Sequence, residues 1–182
     1  MRRLCGCILL LLMTLVRSAA TSGADGQGEI DRILNRFPGY HILKLQERDS
    51  ETRAFVLRHF PKDNPSLVHA DFDGDGHMDY AILLKDNKSG AIRLAVFLCS
   101  GDAECKTVFD EEVSTTNSSG IYIRPMQVGS HVSQTDAIDT KAHSSPARLS
   151  SAGIEVTYFG QAKVVYYWSK KHKKLESIQT GD

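Results

Sequence analysis

The chain has 182 residues, with 22 Lys and Arg against 22 Asp and Glu, so its formal net charge is zero. That balance lacks the basic excess with which proteins grip a phosphate backbone, and no nucleic-acid partner is expected. The length suits one domain with a real hydrophobic core, not two.

Residues 1–20 read as a secretory signal. Arg2 and Arg3 make a basic start, Leu4 to Val16 an apolar stretch, and Ser18, Ala19 and Ala20 a small-residue site for a peptidase. The apolar run is shorter than the roughly 20 residues a membrane helix needs, and no later stretch approaches that length, so no membrane span is expected after cleavage. Removing Arg2, Arg3 and Arg17 leaves 19 basic against 22 acidic side chains, a net charge of −3. Cys5 and Cys7 leave with the signal. Residues 21–182 are then a single α+β domain, secreted or periplasmic, in which Cys99 and Cys105 are free to oxidise.

From Gly28 to Phe37, the spacing of Ile30, Ile33, Leu34 and Phe37 predicts one short amphipathic helix, stopped by Pro38-Gly39. Beyond it, Tyr40–Leu45, Thr52–Phe60, Leu67–Ala70, Tyr80–Leu84 and Ile92–Cys99 are rich in branched and aromatic residues and read as strands. The fold class expected is α+β, with one N-terminal helix packed on a mainly antiparallel β-sheet.

Between the third and fourth of these strands lies Asp71-Phe72-Asp73-Gly74-Asp75-Gly76-His77-Met78-Asp79. Four carboxylates this close repel one another unless a cation or a proton relieves them. A hard cation is implied, and Ca2+ before Mg2+, because Ca2+ accepts more oxygen ligands in less regular geometry. With Asp71 as the first position, Asp73 and Asp75 fall third and fifth, His77 offers its backbone carbonyl at the seventh, and Asp79 stands ninth. Gly76 allows the sharp turn that folds these oxygens inward. An EF-hand loop would end in a bidentate Glu, where this chain has Ile82, and the following Tyr80–Leu84 reads as a buried strand instead of a second helix. The imidazole of His77 is not expected to bind: it suits zinc better, and no second histidine stands at a zinc spacing.

The run from Ala70 to Gly76, followed by Met78-Asp79-Tyr80-Ala81, resembles the calcium loop of FG-GAP or VCBS-type repeats, in which a strand enters an Asp-x-Asp-Gly-Asp-Gly-x-x-Asp turn and a strand leaves it. The resemblance covers Leu67 to Leu84. It implies that Asp71, Asp73, Asp75 and Asp79 supply carboxylate oxygens and residue 77 a main-chain oxygen to Ca2+. Members of that family usually carry tandem copies that close a propeller and bind partners. This chain has one copy, so neither a propeller nor integrin-like adhesion is implied. It looks more like a stand-alone secreted bacterial domain bearing one such loop.

Cys99 and Cys105 flank a polar loop between an apolar strand and Thr107–Val113, which predicts a hairpin pinned by a Cys99–Cys105 disulfide. A redox pair would favour closer cysteines in a low-pKa setting. After a polar connection, Ile121–Arg124 reads as a strand. Gly129–Gly153 is poor in apolar residues and yields no periodicity. Ile154–Phe159, Ala162–Trp168 and Leu175–Ile178 then form an antiparallel meander.

No nucleophile elbow, phosphate-binding glycine loop or His-Glu-x-x-His helix is present in the sequence, and the histidines other than His77 are scattered, so no catalytic residue is assigned. Lys170-Lys171-His172-Lys173-Lys174 reads as a solvated turn with edge-protecting lysines, with attraction to an anionic glycan or lipid as the alternative. Tyr166, Tyr167 and Trp168 suggest a sugar-stacking platform, but alternation sends Tyr167 to the opposite face from the other two. Asn87-Lys88-Ser89 and Asn117-Ser118-Ser119 match glycosylation acceptors. The expected function is an exported calcium-binding domain with a structural ion, acting as a binding or interaction module toward a protein or glycan partner. The alternative is a secreted hydrolase whose catalytic groups meet only in three dimensions.

Overall fold

The structure is a computed structural model and describes residues 24–101, 105–114, 120–133 and 147–181. The predicted signal, Cys5, Cys7 and the Asn117-Ser118-Ser119 acceptor lie outside the described residues.

Helix α1 spans Ala24–Asn35. Its apolar stripe ends where the N–H groups of Arg36 and Phe37 bond back to the carbonyls of Ile33 and Leu34, and Gly39 at φ +90° turns the chain away. Strand β1 (Tyr40–Ile42) is shorter than the predicted Tyr40–Leu45. Leu45–Glu47 instead makes a 3-10 turn, because the Glu47 carboxylate bends back to accept the N–H of Lys44 at 2.8 Å.

The predicted strand at Thr52–Phe60 is a helix, α2, over Ser50–His59. Asp49 caps it by accepting the N–H of Thr52 at 2.7 Å, and the buried side chains Thr52 and Val56 stand four residues apart on one helical face. Branched and aromatic composition suggests a strand, but the apolar residues of this segment, Ala54 to Leu57, run consecutively with no clear period of their own, and the Asp49 cap decides the local conformation.

Strands β2 (Leu67–Ala70), β3 (Asp79–Asp86), β4 (Ile92–Leu98) and β5 (Lys106–Ser114) form the first antiparallel sheet with β1. Both β2 and β1 pair with β3, at Leu67↔Ile82 through Ala70↔Asp79 and at Tyr40↔Asp86 through Ile42↔Leu84, so they share one side of it in succession. Strand β6 (Ile121–Met126) belongs to a second sheet. A two-residue ribbon of β7 (His131–Val132) and β8 (Ala147–Arg148) precedes the meander of β9 (Gly153–Tyr158), β10 (Ala162–Ser169) and β11 (Lys174–Gln179), and the second sheet runs β11-β10-β9-β6.

Among the described residues the expected single sheet under one helix is instead two main antiparallel sheets, a two-stranded ribbon and two α-helices. Strand β3 shows why. Ala81 and Leu83 pack against Ile121, Ile123, Ile154 and Val156 of the second sheet, while Tyr80, Ile82 and Leu84 pack beside Ile33 of α1. A strand covered on both faces has no polar side, which is the reason Tyr80–Leu84 is uniformly apolar. The outer face of the second sheet carries a smaller cluster of Val132, Leu149 and Val165, to which the β7–β8 ribbon contributes. Helix α2 reaches the second sheet through Phe55, whose ring lies 6.2 Å from that of Tyr122.

The meander forms as predicted, and Tyr166 and Tyr167 take opposite faces as the alternation requires. Tyr166 meets Phe109 edge-on at 5.1 Å in the space between the sheets, whereas Tyr167 joins the outer cluster and donates to Glu176. Cys99 and Cys105 are joined by a disulfide with an S–S distance of 2.00 Å. Among the described residues no helix is long and apolar enough to cross a membrane.

Candidate metal centre

The acidic turn joins β2 to β3, and its carboxylates organise its own backbone. Oδ1 of Asp71 accepts the N–H groups of Gly74 at 2.6 Å and Asp75 at 3.2 Å, and Oδ2 accepts that of Gly76 at 3.0 Å. Asp73 accepts from Asp75 at 3.1 Å, and Asp75 from His77 at 2.7 Å. Gly74 and Gly76 adopt φ +77° and +91°, the left-handed conformation that a side chain would oppose. Alternating Asp and Gly thus has a local cause. Short carboxylates accept main-chain N–H groups two to five residues on, and glycine supplies the bends between them.

Asp79 closes the turn from the other end and is wholly buried. Its Oδ2 accepts the N–H of Phe72 at 2.7 Å and its Oδ1 that of Cys99 at 2.9 Å. Burial pushes its carboxyl up to about 6, against the pull of the Cys99 and Phe72 N–H groups and with the help of the negative charge on Asp73 and Asp75. Asp73 is also raised, chiefly by burial and then by its charged neighbours Asp75 and Asp71. The two groups resist ionisation for the reason a cation would remove: negative charge concentrated where water is partly excluded.

One oxygen from each of Asp71, Asp73 and Asp79 lies within 4.8 Å of the others. Oxygens gathered this closely can share one divalent cation. Three of the five expected ligand positions therefore come together. The carboxylate of Asp75 is not in this trio and caps His77 instead. The His77 ring lies over Gly101, where a β-carbon would sit 3.4 Å from its Cε1. It faces the disulfide hairpin, so the backbone carbonyl is its remaining route to an ion.

Several groups around the turn come from distant sequence. The N–H of Ala152 donates to the carbonyl of Asp71 at 3.1 Å, and Oγ of the buried Ser151 donates to that of Phe72 at 2.5 Å. The segment leading into β9 thereby holds the first half of the turn in place, and Phe72 is buried in the core between the sheets. The side chain of Lys170, at the β10–β11 turn, lies over Gly74. Local spacing carries no signal for Ser151 or Ala152; for Lys170 the only hint is the basic run itself.

Among the described residues no histidine other than His77 stands in the acidic turn, and the trio holds none. Both ring nitrogens of His41 are engaged, Nδ1 with Asn87 Oδ1 at 2.6 Å and Nε2 with Glu47 Oε2 at 2.9 Å. That ring borders a groove of about 690 Å3 walled by Leu34, Ile42, Leu45, Pro61 and Pro65. His59 packs on Phe55, His69 stacks on Tyr80 with centroids 4.5 Å apart, and His172 Nδ1 meets Glu176 Oε1 at 2.5 Å. His131 is exposed on β7, and His143 lies outside the described residues. A second cleft, of about 320 Å3, opens between Phe55, Tyr122 and Phe159. Neither cavity includes a residue of the acidic turn. Compared with family models, with curated proteins and with solved structures, the chain matches none.

Proposed function

We propose that this chain is an exported calcium-binding domain whose ion is structural and whose role is that of a binding or interaction module for a protein or glycan partner. The observation that carries the reading is the approach of Asp71, Asp73 and Asp79 within 4.8 Å of one another in one turn between two strands. An ion held there cancels carboxylate repulsion and pins the point where β3 enters the core, a task complete without any substrate. The resemblance of the loop to FG-GAP and VCBS-type calcium loops supports the same ion and adds Asp75 and the carbonyl of His77 to the ligand set. Export is supported by the signal-like first twenty residues and by the Cys99–Cys105 disulfide, which suits an oxidising compartment.

The test is thermal unfolding of residues 21–182 in Ca2+ and in chelator. A ligand that binds only the folded form adds RT ln(1 + [L]/Kd), about 2.7 kcal/mol at a hundredfold excess over Kd. The midpoint is expected to rise with Ca2+ and to lose most of that rise in Asp75→Ala. Equal midpoints in Ca2+ and chelator would refute the site.

A further inference from the structure

Tyr122, Thr157 and Lys163 stand in one row across the outer face of the second sheet, since Tyr122 pairs with Thr157 and Thr157 with Lys163 in the antiparallel register. Their neighbours Ile121, Ile123 and Val156 point the other way, into the core between the sheets. Beside the row, Phe55 of α2 and Phe159 of the β9–β10 turn meet with ring centroids 5.1 Å apart. With Gln161 these residues line the cleft of about 320 Å3. Both phenylalanines are only half-buried, so apolar ring surface stays open to it. The walls are fixed by the main chain. The N–H of Phe159 donates to the carbonyl of Gly120 at 2.7 Å and that of Gln161 to Tyr158 at 2.9 Å, while Lys163 donates to Gly181 at 3.1 Å and accepts from Thr180 at 2.9 Å. Among the described residues no acidic side chain lines the cleft, and Lys163 makes no ion pair. Glu155, on the same face, accepts the Thr157 hydroxyl at 3.4 Å but does not line the cleft.

The volume lies at the small end of the roughly 300–1,000 Å3 usual for ligand pockets, which suits a single ring. Aromatic walls take the flat C–H face of such a ring, a hydroxyl and an amide take its polar rim, and an unpaired ammonium takes a negative charge. A pyranose bearing a carboxylate carries all three features. Resting on the reading of the chain as a binding module, though not on its ion, we infer that this cleft binds one uronate unit of an acidic glycan. The sugar ring packs on Phe55 and Phe159, its hydroxyls meet Thr157 and Gln161, and its carboxylate pairs with Lys163. A flat aromatic acid would leave the hydroxyl and amide without partners, and a neutral sugar would gain nothing from the ammonium.

The experiment is an amide NMR titration of isotope-labelled residues 21–182, in chelator, with methyl glucuronide, methyl glucoside and benzoate as probes. The glucuronide is expected to shift the amides of Phe55, Tyr122 and residues 157–163 and to bind about two- to fivefold more tightly than the glucoside, the gain of one exposed charge pair. Lys163→Gln should erase that margin and keep glucoside binding, whereas Phe159→Leu, which retains bulk, should weaken both sugars about threefold or more. Glucuronide binding that is unchanged in both variants, with shifts elsewhere, would overturn the cleft and leave a glycan-binding module standing. Tighter binding of benzoate than of glucuronide would overturn the sugar assignment. Binding of neither sugar would remove the inference together with the glycan partner it rests on. Because every titration is in chelator, the ion is decided separately by the unfolding midpoints.

Discussion

The backbone N–H of Cys99 donates to Oδ1 of Asp79 at 2.9 Å while that of Phe72 donates to Oδ2 at 2.7 Å, so a single buried carboxylate ties the acidic turn to the end of β4 where the disulfide begins. Each oxygen retains a lone pair after accepting one hydrogen bond. Asp79 can therefore organise the fold and still face a cation, whereas Asp73 is only half-buried and accepts within the turn alone.

This difference separates two effects by mutation. Asp79→Ala orphans two buried N–H groups and is expected to cost about 2–4 kcal/mol even in chelator. Asp73→Ala should lower stability only in the presence of Ca2+, leaving the chelated protein unchanged or slightly stabilised, since one repelling charge is gone. Urea unfolding of both variants with Ca2+ and with chelator checks the claim. Equal losses for Asp79→Ala and Asp73→Ala in chelator would contradict it.

Arg48 joins the two sheets from inside. It is buried, and its guanidinium donates to the carbonyls of Ile121 at 2.8 Å, Pro65 at 2.9 Å and Lys44 at 3.2 Å and to Ser66 Oγ at 2.7 Å. Burial lowers its pKa to about 10, offset in part by the charge of Glu47, and it stays protonated at neutral pH. Arg48→Met keeps much of the volume but removes all of these hydrogen bonds, although the Pro65 and Lys44 carbonyls keep the N–H groups of Ile123 and Glu47, and a loss of about 2–4 kcal/mol is expected. Arg48→Lys should recover little of it, because an ammonium cannot reproduce the planar fork that reaches β6 and the 65–66 segment together. A chemical-denaturation series over the three chains measures both.

The Glu47 carboxyl predicts a pH dependence. Burial alone would raise its pKa, but the Lys44 N–H and the His41 and Lys85 side chains outweigh burial and hold it at about 2 against an ordinary 4.5. A folded value below the unfolded one gives stability that is fully present above pH 4.5 and is lost as pH falls toward 2. The group is about a quarter exposed, so solvent screening discounts the effect to about 1–2 kcal/mol. Subtracting the stability of Glu47→Gln from that of the parent between pH 6 and pH 3 should give a difference that shrinks with acid. A constant difference across that range would show that Glu47 is not held in this way.

Local sequence determined much of this molecule. Alternating Asp and Gly dictate a tight turn, because short carboxylates and left-handed glycines satisfy the backbone within a few residues, and the branched runs on either side dictate strands. The disulfide was legible from two cysteines flanking a short polar loop. Helix α2 had a local signal as well, Asp49 three residues before Thr52 as a cap, but a consecutive apolar run with no helical period concealed it. Other features were decided only by tertiary structure. That β3 is covered on both faces, that Arg48 spans to Ile121, that Ser151 and Ala152 grip the acidic turn and that Lys170 lies over Gly74 all depend on pairing between segments tens of residues apart. Such contacts leave no periodicity in either partner, since the free energy that selects them is burial and hydrogen bonding between surfaces that exist only once both sheets have formed.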